Sequence, residues 1–197
     1  MNYSKKALSG ILIFLGAAVF LFGITLSEIL SSGYSLTQAI SDLGTGSTAC
    51  IFNTSIEIFG LFILLAVLFL SREGMDRTFL YLLALAGTGA LCTGLFPETT
   101  GTSHVIAAIT VFLFGGFSAI YSAKIFSQPW GWISPVLGII SLAALVFLAG
   151  KIYLGIGFGG MERMAAYCLI LWALGTGGFL MAGGNKDPVP QDRKRQH

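Results

Sequence analysis

The sequence predicts an all-α integral membrane protein: a six-transmembrane-helix bundle, N-in/C-in, with a short amphipathic helix in the first outer loop. Three observations carry this. Of the 197 residues, 55% are hydrophobic and only 10% charged, with mean hydropathy +0.83, whereas a soluble domain carries about 25% charge. The apolar residues fall into six blocks, each near the ~20 residues that span the hydrocarbon core as a helix. With the N-terminus in the cytoplasm, Lys5, Lys6, Arg72, Arg77, Lys124, Lys186, Arg193, Lys194 and Arg195 lie inside and only Lys151 and Arg163 outside. That bias requires an even number of crossings, independently of hydropathy.

The first block, 7–27, follows Lys5 and Lys6 like the start of a signal peptide. It exceeds an ordinary signal h-region and no small-x-small cleavage site follows, so an uncleaved helix is expected. In the loop over 31–49, Ser35-Leu36-Thr37-Gln38 has capping-box spacing, and Leu36, Ile40 and Leu43 recur at helical intervals. These carry the amphipathic helix, which Gly44-Thr45-Gly46 would end, with Asp42 near its C-terminus.

The second block, 50–70, puts Cys50, Asn53, Glu57 and Gly60 on one face, with Glu57 about 10 Å below Cys50. An intramembrane carboxylate costs several kcal/mol unless it meets a partner, the bundle interior or water, which makes Glu57 a site candidate. The third block, 78–95, carries Ala86, Ala90 and Gly94 at spacings that let helices approach closely. It ends in a loop rich in hydroxyls, with Pro97, Glu98 and Gly101, and His104 at the next helix start. There the helix dipole disfavours an imidazolium and leaves a neutral base or ligand.

The fourth and fifth blocks, 104–126 and 132–150, are nearly free of charge, Lys124 excepted, which is expected to snorkel to the inner surface. The glycine-rich 155–160 loop imitates a phosphate-binding run but lacks any βαβ context. On the sixth block, 162–183, Glu162, Ala166, Leu169, Ala173 and Gly177 form a small-residue face, and Gly178 and Ala182 repeat the spacing. Two regions result: a transmembrane domain over 1–184 and a disordered basic cytoplasmic tail over 185–197.

The acids Glu28, Asp42, Glu57, Glu98 and Glu162 all fall on the outer side, which is net negative, while the inner side is net positive. His104 and Arg163 lie there too. An outward polar site is therefore expected, with His104, Asp42 and Glu162 as catalytic candidates and Glu57, Asn53, Arg163 and Glu98 as ligand-binding ones. Its ligand would be a membrane lipid headgroup or other amphiphile, bound and, in one variant, hydrolysed, with Arg163 clamping an anionic group. A proton- or cation-coupled transporter and a structural or assembly subunit are the alternatives. No nucleic-acid or nucleotide signal occurs, and neither cofactor nor oligomeric state is assigned. A lone histidine with scattered carboxylates assigns no metal. Three cysteines give no disulfide framework, and a Cys50–Cys92 bridge stays open.

Ser41-Asp42-Leu43-Gly44, Asn53, Gly60, Gly94-Leu95-Phe96-Pro97, His104 and Glu162-Arg163, in this order between six spans, resemble the multi-pass prokaryotic membrane family called domain of unknown function 998. The resemblance runs from about the first span to the sixth. It implies a shared six-helix bundle and a shared polar cluster and brings no established activity; the chain is separately expected in the cell membrane, with both termini cytoplasmic.

Overall fold

Residues 4–183 are described by the computed structural model; the basic tail expected over 185–197 lies outside them. Six α-helices follow one another: α1 (Lys5–Leu30), α2 (Ala49–Ser71), α3 (Arg77–Leu95), α4 (Thr102–Tyr121), α5 (Trp130–Ala149) and α6 (Gly157–Met181). There is no strand among the described residues. Each helix, α4 with the short 3₁₀ turn that extends it, is long and apolar enough to cross a membrane. Their ends fall within a few residues of the blocks read from hydropathy, and the chain is a multi-pass integral membrane protein.

Local chemistry sets the helix starts. The Ser4 hydroxyl accepts from the Ala7 N–H at 3.1 Å and caps α1, and the Asp76 carboxylate accepts from Phe79 at 3.1 Å and caps α3. Gly101 and Gly157, at φ +63° and +75°, turn the chain into α4 and α6 through a region that glycine enters without a Cβ clash. The glycine-rich run over 155–160 is thus a helix entry.

Each helix packs against its neighbours in sequence and α6 returns to α1, closing a ring. Neighbours run antiparallel: Ser9 near the start of α1 bonds the Ala66 carbonyl late in α2, and Trp130 at the start of α5 bonds Thr176 late in α6. Small residues make the closest seams. A Cβ at Gly10 would lie 2.6 Å from the Gly177 carbonyl oxygen, and one at Gly177 2.7 Å from that of Gly10. Gly178, expected to share this role, has nothing within 4 Å of such a Cβ. One residue turns a helix by about 100°, which carries it off the seam.

The interior differs between the two ends. Phe79, Phe126 and Phe179 pack edge to face, with centroids 5.9 and 5.5 Å apart, and fill the end that holds the α1 and α3 starts. Toward the other end Phe20 stacks on Phe59 and meets Phe52 edge-on, both at 5.8 Å. Beyond them the packing opens.

That second end is covered by the segment between α1 and α2, where the amphipathic α-helix expected from the capping-box spacing does not form. Gln38 does reach back to the Ser35 N–H at 2.7 Å, half of a capping box, but one turn later the chain enters a 3₁₀ turn at Ser41–Gly44. The apolar set that suggested a helix explains the difference. Ile40 and Leu43 are 3% and 1% exposed and plug the ring, while Leu36 points away at 63%. Burial across the bundle end outweighs helix continuation here.

Candidate functional site

The 31–48 segment is held down from three helices. On α6, Gly159 donates to the Thr37 carbonyl at 3.0 Å, and a Cβ at Gly159 would collide with the Gln38 carbonyl. Arg163 spreads its guanidinium over the Leu36, Gln38 and Gly159 carbonyls at 2.9, 3.2 and 3.0 Å. Its other terminal nitrogen donates to Glu28 on α1 at 2.5 Å and to the Tyr34 hydroxyl at 2.7 Å. The Tyr34 hydroxyl in turn donates to the Ala39 carbonyl at 2.8 Å, and burial holds that phenol above its usual range, so it stays a donor. On α2, Asn53 donates to the Gly44 carbonyl at 3.0 Å.

Beneath this cover the polar side chains converge. His104 is 6% exposed, and its Nδ1 lies 2.8 Å from the Phe96 carbonyl. A carbonyl only accepts, so Nδ1 carries a proton, and in the neutral ring Nε2 is then an acceptor. Pro97 contributes to this, because a residue before proline leaves the helical region. Phe96 accordingly sits at φ −116°, ψ 84°, off the end of α3, with its carbonyl free for His104. Glu162 at the start of α6 accepts the Ile40 N–H at 2.5 Å, and the Ser41 hydroxyl lies beside both the Glu162 and Glu98 carboxyls.

Glu98, in a short 3₁₀ turn at Glu98–Thr100, faces Asp42 of the Ser41–Gly44 turn, and the Asp42 carboxylate also accepts from the Ala39 N–H at 3.1 Å. Burial first, then the neighbouring Asp42 carboxyl, raise Glu98 above its ordinary 4.5, against a smaller pull from Ser41. Its Oε2 is buried and meets no donor. Two ionised carboxylates are acceptors only, so Asp42 offers that oxygen no donor.

Two adjoining spaces share these groups as lining. An inner cavity of about 50 Å³ runs down among Phe20, Phe52 and Phe59, capped by Ser41, Thr93, His104 and Glu162. A groove of about 370 Å³ opens sideways between α4 and α5. Ser41, His104, Ala108, Phe112 and Glu162 line both. The groove's flanks are Val105, Ile109, Leu145, Leu148 and Phe158; of these Val105, Ile109 and Phe158 are on the bundle exterior. The site therefore has a polar head and an apolar side that reaches the face meant for lipid.

A family model described as a protein of unknown function, DUF998, matches residues 14–177. The chain belongs to the DUF998 family. No curated protein and no solved structure matches it. In this DUF998 protein most of the residues that carry the family resemblance assemble at one end of the bundle, while Gly60 lies mid-span against Gly87 and Leu91 of α3. Ser41-Asp42-Leu43-Gly44 is the 3₁₀ turn itself, Phe96-Pro97 orients His104, and Glu162-Arg163 holds the loop.

The sequence-read residues divide. His104, Glu162 and Glu98 line the groove, with Asp42 against Glu98. Asn53 and Glu57 line neither space; Glu57 and the Asn53 carbonyl pack where a Cβ at Gly94 would lie 2.5 and 2.7 Å from them, on the α2–α3 seam. Arg163, read as a clamp for an anionic ligand, is committed to Glu28, Tyr34 and the loop carbonyls. Cys50, Cys92 and Cys168 are free thiols. Among the described residues no three His, Cys, Asp or Glu side chains gather as a metal set.

Glu28 and Tyr34 were not assigned site roles from sequence. Glu28 ends the first apolar block as Glu162-Arg163 begins the sixth, and that shared depth was the signal available. Nothing in the sequence marks Tyr34.

Proposed function

We propose that this DUF998 protein binds a membrane amphiphile, with the polar headgroup at Ser41, Glu98, His104 and Glu162 and the apolar chain along the α4–α5 groove. One observation carries the reading: the groove joins a buried polar corner to an apolar flank open on the exterior of a membrane-spanning bundle. A soluble ligand has no use for that flank, while a lipid reaches the corner without leaving the bilayer. The nine-to-two cation bias supports an outward site with both termini cytoplasmic, in the cell membrane. A hydrolytic version draws on the meeting of Ser41, His104 and Glu162 at the junction of the two spaces, with His104 as base. Transport fits less well, because the Phe79, Phe126 and Phe179 packing fills the opposite half.

Mass spectrometry of lipids retained by the purified chain tests the proposal. Wild type and Glu57→Gln are expected to retain the same lipid in the same amount, and His104→Ala to lose most of it while staying folded. An identical lipid profile for folded His104→Ala and wild type would contradict the site.

A further inference from the structure

We propose that the headgroup is a primary ammonium, so that the ligand is a long-chain amine rather than an anionic or purely hydroxylic amphiphile. This rests on the amphiphile reading above and adds the chemistry of the polar corner, where acceptors outnumber donors. Glu98 Oε2 is buried without a donor. His104, nine-tenths buried and lining both spaces, gives its proton to the Phe96 carbonyl and offers Nε2 as an acceptor. Glu162 uses one oxygen on the Ile40 N–H and keeps acceptor capacity on the other. Against these, the polar side chains lining the groove offer as donors the Ser41 hydroxyl and the His104 Nδ1–H, which the Phe96 carbonyl already takes.

Charge points the same way, since the carboxyls outweigh the α4 N-terminus beside His104, which opposes a cation with only about half a positive charge. Glu28 and Arg163 cancel as an ion pair, and Arg163 is further tied to backbone carbonyls. Asp42 and Glu98 then have no ion-pair partner among the described residues, and Glu162 feels the charge of Arg163 without pairing with it. A phosphate or sulfate would bring more negative charge against three carboxyls with no free guanidinium to receive it. An ammonium brings three N–H donors and a positive charge, matching the buried Glu98 oxygen, the Glu162 oxygen and the His104 nitrogen. The apolar flank of Val105, Ile109, Leu145 and Leu148 takes the chain and separates this ligand from a small water-soluble amine.

The test is photolabelling of the full chain in phosphatidylcholine nanodiscs with a diazirine-bearing long-chain primary alkylamine. Labelling is competed with dodecylammonium, dodecanol, dodecyl phosphate and butylammonium, and repeated on Glu98→Gln and Glu162→Gln. Saturable labelling is expected, with dodecylammonium competing at least about tenfold better than dodecanol or dodecyl phosphate, since a charge-assisted bond contributes about 1.5 kcal/mol or more. Either glutamine variant should erase most of that preference.

Equal competition by dodecanol or dodecyl phosphate overturns the ammonium assignment. If labelling is also lost in Ala108→Phe or Leu148→Phe, which fill the groove from opposite walls, the amphiphile reading survives that result. Labelling that is non-saturable, or unchanged in both filling variants, overturns the amphiphile reading itself. Competition by butylammonium as strong as by dodecylammonium overturns the long-chain part and leaves a soluble amine as the ligand.

Discussion

Arg163 enters the sequence as one of two cations expected outside, the natural counter-ion for the acids around Glu162 or for an anionic ligand. In the fold it is the latch of the 31–48 segment, and its partner Glu28 is 135 positions away in the chain, a distance no periodicity bridges. Removing it leaves Glu28, at 20% side-chain exposure, without its cation. Arg163→Ala should cost about 2–3 kcal/mol, and Arg163→Lys most of that, because an ammonium cannot fork over the same carbonyls. Thermal unfolding in a nonionic detergent reads both. Glu98 gives a separate prediction with a fixed sign. Its folded value is raised above 4.5. At acid pH it is neutral folded and unfolded alike; as pH rises, the unfolded chain ionises first, so stability falls until the raised value is passed. Glu98→Gln should therefore raise the melting temperature at neutral pH and leave it nearly unchanged at pH 4, and a constant offset at every pH would refute the burial argument.

At the scale of elements, the segment between α1 and α2 shows what spacing can and cannot report. Ser35 and Gln38 do form half of the capping box, so the local signal was real. The helix it announces is replaced by two turns, because Ile40 and Leu43 must enter the ring from above and a helix lying on the surface would point them along it. The docking surface is equally specific: Gly159 admits the Gln38 carbonyl only because it lacks a Cβ. Gly159→Ala should lift the segment off α6, at a cost of about 1–3 kcal/mol. Limited proteolysis checks this, with faster cleavage within 32–38 expected in the variant and wild-type rates counting against the docking role. The α2–α3 seam gives the converse lesson. Glu57 was correctly read as sharing a face with Asn53 and Gly60, but a helical face does not name the helix it meets. That helix is α3, at Gly94, so the stem of Glu57 lies in a packing seam and the residue lines neither cavity.

Across the whole molecule, the six crossings were legible because hydropathy and length are summed over about twenty residues, where single exceptions do not matter. The candidate site was legible in part. His104, Glu98, Glu162 and Asp42 stood out in the sequence as scarce ionisable groups expected on one side of the membrane, whereas the groove arises from the packing of α4, α5 and α6, which no local pattern encodes. Orientation has its own check: a cysteine placed at Leu36, which is 63% exposed, in a Cys50→Ser background should react with a membrane-impermeant maleimide on intact cells. Protection there, with labelling only after lysis, would reverse the topology. The central claim is that an amphiphile occupies the α4–α5 groove with its head at His104. Peptide-level mapping of a diazirine-bearing long-chain probe, crosslinked in nanodiscs, tests this most directly. The account predicts adducts concentrated on the α4 and α5 peptides that contain Val105, Ile109, Leu145 and Leu148, and adducts spread evenly around the ring or gathered at α2 and α3 would contradict it.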